Sequence, residues 1–283
     1  MQASARRLIA RLHLIKPARF IYRAVGFFRY FALGYRYGRQ IAAPDIAPKE
    51  TPDVVSPLEA FARENREGPG IWKWEHYYDV YDRHLSRFRG KSIGILEIGV
   101  LGGGSLYMWR DYFGPDARIY GLDINPACKE LEKDGFEIFV GDQGDPEFWK
   151  RLLREVPMID VVIDDGGHRP HQQVVTLKSL LPHLRPGGVY ICEDIHGPFQ
   201  PFHSFVDGLT RSLSDISGPH ERTPASSLHQ QVASVHHYPI LTVIEKTISC
   251  PPTFEAPRFG TNWRTEWYQD ESRRRLFSRR RSG

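Results

Sequence analysis

The sequence is poor in the features that mark small secreted, membrane-spanning or repetitive chains. It holds three cysteines in 283 residues, Cys128, Cys192 and Cys250, all far apart. Neither a disulfide framework nor a metal-knuckle spacing can be built from them. No apolar run reaches the length of a membrane span, and no signal peptide with a small-residue cleavage site opens the chain, so a cytoplasmic protein with reduced thiols is expected. No internal repeat recurs, which excludes solenoids and propellers. Also missing is the Gly-x-Gly-x-x-Gly fingerprint of dinucleotide folds, because the loop reads Gly99-Val-Leu-Gly-Gly-Gly-Ser105 and Leu101 stands where a second glycine is required. That absence disfavours a nicotinamide-dependent oxidoreductase.

Acid is absent from the first 44 residues, where nine lysines and arginines stand alone, and six arginines follow the last acid, Glu271. The formal net charge of +4 therefore hides a core that is acidic by about eleven charges between two basic ends. From Arg19 to Tyr37 a helical projection gathers Phe20, Ile21, Val25, Phe27, Phe28 and Phe31 on one side and Arg19, Arg23, Arg29 and Arg36 largely on the other. Two occupants suit such a face. One is the chain's own domain or a second subunit in a homo-oligomer, which is preferred; the other is the interface of an anionic membrane at its inner face. Nucleic acid is not expected as a partner, since the ends carry no nucleic-acid motif and an acidic core repels phosphate.

What the chain does have is a succession of short apolar strands, each stopping on an acid. Ile93 to Gly99 runs into the glycine loop and a helix, Arg118 to Leu122 stops on Asp123, and Phe136 to Val140 stops on Gly141-Asp142-Gln143. Asp160-Val-Val-Ile-Asp-Asp-Gly-Gly-His168 ends on two carboxylates and a histidine; a helix with Val174, Leu177, Leu181 and Leu184 on one face follows, and Val189-Tyr-Ile-Cys192 ends on Glu193-Asp194. Alternating strands and helices predict an α/β fold with a parallel sheet, whose ligands bind beyond the carboxyl ends of the strands. Asp164, Asp165, His168, Glu193 and Asp194 are accordingly expected in one crevice. Carboxylates in that number repel one another unless a cation joins them, and hard oxygen ligands suit magnesium, calcium or manganese better than zinc. Ordinary capping and Asp-Gly turns explain one such corner but not adjacent ones.

Other positions follow from the same order. Glu97 repels phosphate and welcomes an amino group; Asp123, 24 residues past Gly99, suits ribose hydroxyls, and Asp142 with Gln143 a purine edge. Trp72 and Trp74 are read as packing. Val232 to Tyr238 and Ile240 to Lys246 predict a closing antiparallel hairpin, while the tail after Cys250 shows little period. The expected organisation is a basic arm at 1–44, a linker and helical cap at 45–92, the main domain at 93–248 with 197–231 as a substrate lid, and a basic tail at 249–283.

Glu97-Ile-Gly-Val-Leu-Gly-Gly-Gly-Ser105, Gly121-Leu-Asp-Ile124, Gly141-Asp-Gln143, Asp164-Asp-Gly-Gly-His168 and Glu193-Asp194 together resemble class I S-adenosylmethionine-dependent methyltransferases, more narrowly the metal-dependent sugar O-methyltransferases of the macrocin and mycinamicin group. The resemblance covers roughly Trp72 to Lys246. It implies a Rossmann-like, mostly parallel sheet with helices on both faces and a C-terminal antiparallel hairpin. It further implies magnesium on Asp165, Glu193 and Asp194, His168 as the base, and S-adenosylmethionine on Glu97, Gly99, Gly104, Ser105, Asp123, Asp142, Gln143 and Asp165. The acceptor expected is a sugar hydroxyl of a glycosylated natural product, glycolipid or polysaccharide. A catechol-like acceptor is the alternative, and an inactive cofactor-binding partner a more distant one.

Overall fold

The computed structural model describes residues 26–41, 55–215, 222–257 and 259–260, and the chain divides into two units, Met1–Val54 and Val55–Gly283. In the first unit residues 26–40 form a helix (α1), on which Phe28 and Phe31 are exposed and Phe27 stacks with Phe31 at 6.1 Å between ring centroids. Phe20, Ile21, Val25, Arg19 and Arg23, the linker at 45–54 and the arginines from Arg273 onward lie outside the described residues. Among the described residues no helix is long and apolar enough to cross a membrane.

The second unit is built on a seven-stranded sheet in the order β3-β2-β1-β4-β5-β8-β7. β1 (Gly94–Ile98), β2 (Arg118–Asp123), β3 (Glu137–Val140), β4 (Ile159–Asp164) and β5 (Leu184–Cys192) run parallel. β6 (Arg222–Pro224) pairs apart from this sheet with β9 (Thr253–Glu255), so the tail, which shows little period, supplies a strand. β7 (Val232–Tyr238) and β8 (Leu241–Lys246) form the expected hairpin and join antiparallel to β5. The strand order reverses between β1 and β4, which opens a crevice at their carboxyl ends.

Register brings the acidic corners to one level. Ile98 pairs with Asp164, and Asp164 with Cys192, so Gly99, Asp165 and Glu193 leave the sheet side by side. Side-chain alternation along a strand then sorts the residues before them by face. Ile95, Val161, Ile163 and Ile191 face α2 (Pro57–Glu64), α3 (Glu75–Leu85) and α4 (Gly104–Phe113) in one apolar layer. Leu96, Ile98, Val162 and Tyr190 face α5 (Pro146–Leu152), α6 (Pro170–Leu180) and α7 (Pro201–Leu213) in the other. Central strands are thus apolar on both faces, as a covered parallel sheet demands.

Two details depart from expectation. α6 ends at Leu180, and Leu184 already belongs to β5, because the turn after Leu181 brings the chain back to pair Leu184 with Ile159. Within 197–231, the stretch expected as a lid, α7 buries Phe202 and Val206 in the second apolar layer. The wall opposite the strand ends comes instead from residues 70–77.

Candidate active site

A cavity of about 1130 Å³ lies where β1, β4 and β5 end, walled on its far side by the strap 70–74 and the first turn of α3. Two glycines let backbones meet closely there. Gly99 has a φ of +86°, and a Cβ on it would come within 2.0 Å of the Asp165 carbonyl oxygen; a Cβ on Gly104 would come within 2.3 Å of the Gly70 carbonyl oxygen. The glycine loop is therefore pressed between the corner after β4 and the strap.

The strap is extended, so successive side chains point to opposite sides. Trp72 and Trp74 are 87 % and 51 % exposed and line the cavity, which corrects their reading as packing residues. Between them Lys73 turns inward with only 2 % of its side chain exposed. Its Nζ donates to Glu97 Oε1 at 3.1 Å, to Asp165 Oδ2 at 2.7 Å and to both oxygens of Glu193 at 3.1 Å. Burial alone would lower its pKa, but Glu193, Glu97 and Asp165 outweigh burial and hold the ammonium well above its usual value.

The acids divide accordingly. Glu97 is fully buried; its carboxylate accepts from Lys73 and, through Oε2, from Ser105 Oγ at 2.6 Å, so it is not free to take a ligand's amino group as expected. Glu193 faces Lys73 and accepts from Tyr81 Oη at 2.6 Å, while burial pushes its carboxyl upward against the pull of Lys73. Asp164, expected in the crevice, points the other way. As an even-numbered residue of β4 it shares the face of Val162, accepts from Tyr190 Oη at 2.5 Å and from Gln143 Nε2 at 2.9 Å, and is pushed up to about 6 by burial. Gln143, expected at a purine edge, lines the cavity, but its Nε2 serves Asp164 and Thr176 and its Oε1 accepts from Gly167 N at 2.6 Å. Asp123 Oδ2 accepts from Val100 N and Leu101 N, holding the glycine loop from below, and Asp142 Oδ1 accepts from Gly144 N; both still line the cavity.

On the open side three groups converge. Asp165, His168 and Asp194 each offer a ligand atom within 4.8 Å of the others'. His168 Nε2 stands 3.8 Å from Asp165 Oδ1 and 3.9 Å from Asp194 Oδ2, and its buried Nδ1 has no hydrogen-bond partner. Asp194 Oδ1 accepts from Tyr77 Oη at 2.8 Å and Trp74 Nε1 at 3.1 Å. His168 and Asp194 take the left-handed conformation, φ 52° and 54°, which costs non-glycine residues roughly 1–3 kcal/mol each and is kept where the surroundings impose it. His196 also lines this side. Two carboxylate oxygens and His168 Nε2, the oxygens no closer than 3.8 Å to that nitrogen, leave room for a divalent cation, and the hard oxygen donors favour magnesium. The second cluster, His84, His236 and Glu245, is tied up otherwise: His84 Nδ1 pairs with Glu245 at 2.8 Å, and Arg87 reaches the same oxygen at 3.3 Å.

Sequence reasoning missed Lys73, Tyr77 and Tyr81. Their signal was present as the run Trp72-Lys-Trp-Glu-His-Tyr-Tyr78, where a lone lysine precedes a helix with tyrosines four residues apart on the face toward the site.

Comparison with known proteins agrees with this geometry. A family model described as a methyltransferase domain matches residues 96–195. The chain is 33 % identical over 201 residues to the 8-demethyl-8-alpha-L-rhamnosyl tetracenomycin-C 2'-O-methyltransferase of Streptomyces olivaceus, covering 64 % of this chain and 53 % of that protein. It is 34 % identical over 189 residues to the mycinamicin VI 2''-O-methyltransferase of Micromonospora griseorubida, covering 59 % and 47 %. The solved MycE methyltransferase of the mycinamycin pathway, in complex with Mg, SAH and mycinamycin VI, superposes with a TM-score of 0.55 at 29 % identity, over 70 % of this chain and 55 % of that one. The chain thus spans about half the length of the curated relatives it matches. With its sheet order, its glycine loop and these matches, the chain has the class I methyltransferase fold, and residues 96–195 form a methyltransferase domain within it. Within that class it resembles the macrocin and mycinamicin type of sugar O-methyltransferase.

Proposed function

We propose that the chain is a magnesium- and S-adenosylmethionine-dependent O-methyltransferase acting on a sugar hydroxyl of a glycosylated small molecule. The observation that carries this reading is the convergence of Asp165, Asp194 and His168 at the level where the glycine loop leaves β1. A bound sulfonium carries its methyl group already activated, so the chain's work is alignment and proton removal. The acceptor oxygen forms the new C–O bond, the C–S bond breaks and its electron pair returns to sulfur, leaving a thioether. The hydroxyl proton passes to His168, whose Nε2 faces the two carboxylates. Of the three carboxylates expected on the ion, Asp165 and Asp194 would hold magnesium, which polarises adjacent acceptor hydroxyls when bound, while Glu193 is turned to Lys73 and Tyr81. Tyr77 and Trp74 keep Asp194 in place by donating to its Oδ1, and Asp123 and Asp142 remain beside the cavity for the ribose and adenine of the cofactor.

Calorimetry of the protein with S-adenosylhomocysteine and with magnesium, followed by mass spectrometry after incubation with labelled S-adenosylmethionine and a rhamnosylated tetracenomycin, tests the reading. Cofactor and ion binding, together with a gain of the labelled methyl on the sugar that chelator abolishes, are the expected results. Methylation that survives chelator would remove the metal from the scheme, and a gain on a catechol in place of the sugar would reassign the acceptor.

A further inference from the structure

Lys73 is unused by the scheme above, although it is the most deeply committed charge in the cavity. Its ammonium has three protons and meets four carboxylate oxygens from three different strand ends, all within 3.1 Å. Glu97 and Glu193 are 0 % and 1 % exposed, and apart from Lys73 each receives one side-chain hydroxyl, from Ser105 and Tyr81 respectively. Two buried carboxylates so close to Asp165 would repel one another strongly without a cation among them. The same lysine also fixes the strap, since its buried stem anchors the segment between the exposed Trp72 and Trp74.

We infer that Lys73 is a positioning residue of the donor and metal site. It acts as a tethered cation that gathers Glu97, Asp165 and Glu193 beneath the cavity, so that Asp165 keeps Oδ1 turned toward His168 and Asp194, and it seats the strap that forms the far wall. The inference rests on the methyltransferase reading for the identity of the ligands but not for the geometry.

The test uses the whole chain and known probes. Lys73→Met keeps the length of the stem and removes the charge. Its affinity for S-adenosylhomocysteine is expected to fall by about tenfold, because the Asp165 corner against which Gly99 of the glycine loop packs loses its anchor. Magnesium alone is expected to raise its melting temperature more than it raises that of the wild type, because the ion supplies the missing positive charge. Lys73→Arg keeps the charge but its planar fork cannot address three strand ends at once, so its cofactor affinity is expected to lie between the two. Wild-type affinity and an unchanged magnesium response in Lys73→Met would overturn the inference, as would an arginine variant as weak as the methionine one. Where Lys73→Met yields no folded protein even with magnesium, Lys73→Arg decides: an affinity equal to wild type sinks the idea. A wild-type chain that binds neither probe would instead sink the methyltransferase reading, so the two failures are distinguishable.

Discussion

The two sides of one crevice treat charge in opposite ways. On the inner side Glu97, Glu193 and Asp164 are buried and every carboxylate is answered, by Lys73, Ser105, Tyr81, Tyr190 or Gln143. On the outer side Asp165 Oδ1, Asp194 Oδ2 and the two nitrogens of His168 face one another at 3.8–3.9 Å or lack a partner altogether. Buried polar groups are almost always satisfied, as the inner set is, whereas the outer set is partly exposed and open to the cavity. The difference follows from parity and register: one residue along β4 separates Asp164, held under α6, from Asp165, turned to the cavity.

The sharpest way to break this contrast is Asp165→Asn on the outer side. Magnesium binding by calorimetry should disappear and methyl transfer should drop by at least ~10³-fold, since the ion contributes several kcal/mol to such reactions. A variant that keeps both would mean that Asp165 does not hold the metal. His168→Ala comes next, with turnover lower by about 10²- to 10³-fold and S-adenosylhomocysteine affinity within about twofold of wild type. Equal losses of turnover and cofactor affinity would make His168 a structural corner residue.

On the inner side the expected effect moves from chemistry to stability. Glu97→Gln keeps the volume and the Ser105 contact but removes a charged partner of Lys73, and should cost about 2 kcal/mol in urea denaturation. If the same variant folds as stably as wild type and loses only cofactor binding, then Glu97 belongs with the outer set.

The sequence shows this contrast only partly. Acids at strand ends, the glycine loop and the succession of strands along the chain are local patterns, readable because strands are short, apolar and punctuated. Which way each acid turns is a tertiary property. Asp164 and Asp165 are chemically alike in the sequence, and only the pairing of Ile98 with Asp164 decides which one faces the cavity. Glu97 and Glu193 look available until a lysine 24 and 120 residues away is brought between them. Lys73 is hidden among aromatics that suggest packing, and Gln143 looks like a ligand because its three structural partners lie 21 to 33 residues further on. β9 escapes because three residues beside prolines carry no period.

The finest comparison is between the two donors that hold Asp194 Oδ1. Tyr77 reaches it at 2.8 Å from a fully buried ring, and Trp74 at 3.1 Å from a ring that is half exposed. Trp74→Phe removes the weaker, wetter bond and should lower magnesium affinity by about fivefold, close to 1 kcal/mol, while Tyr77→Phe should cost more. The order matters more than the size. If Trp74→Phe leaves the metal untouched and raises only the KM for the acceptor, then its indole works on the sugar rather than through Asp194, and the strap is a binding surface in its own right.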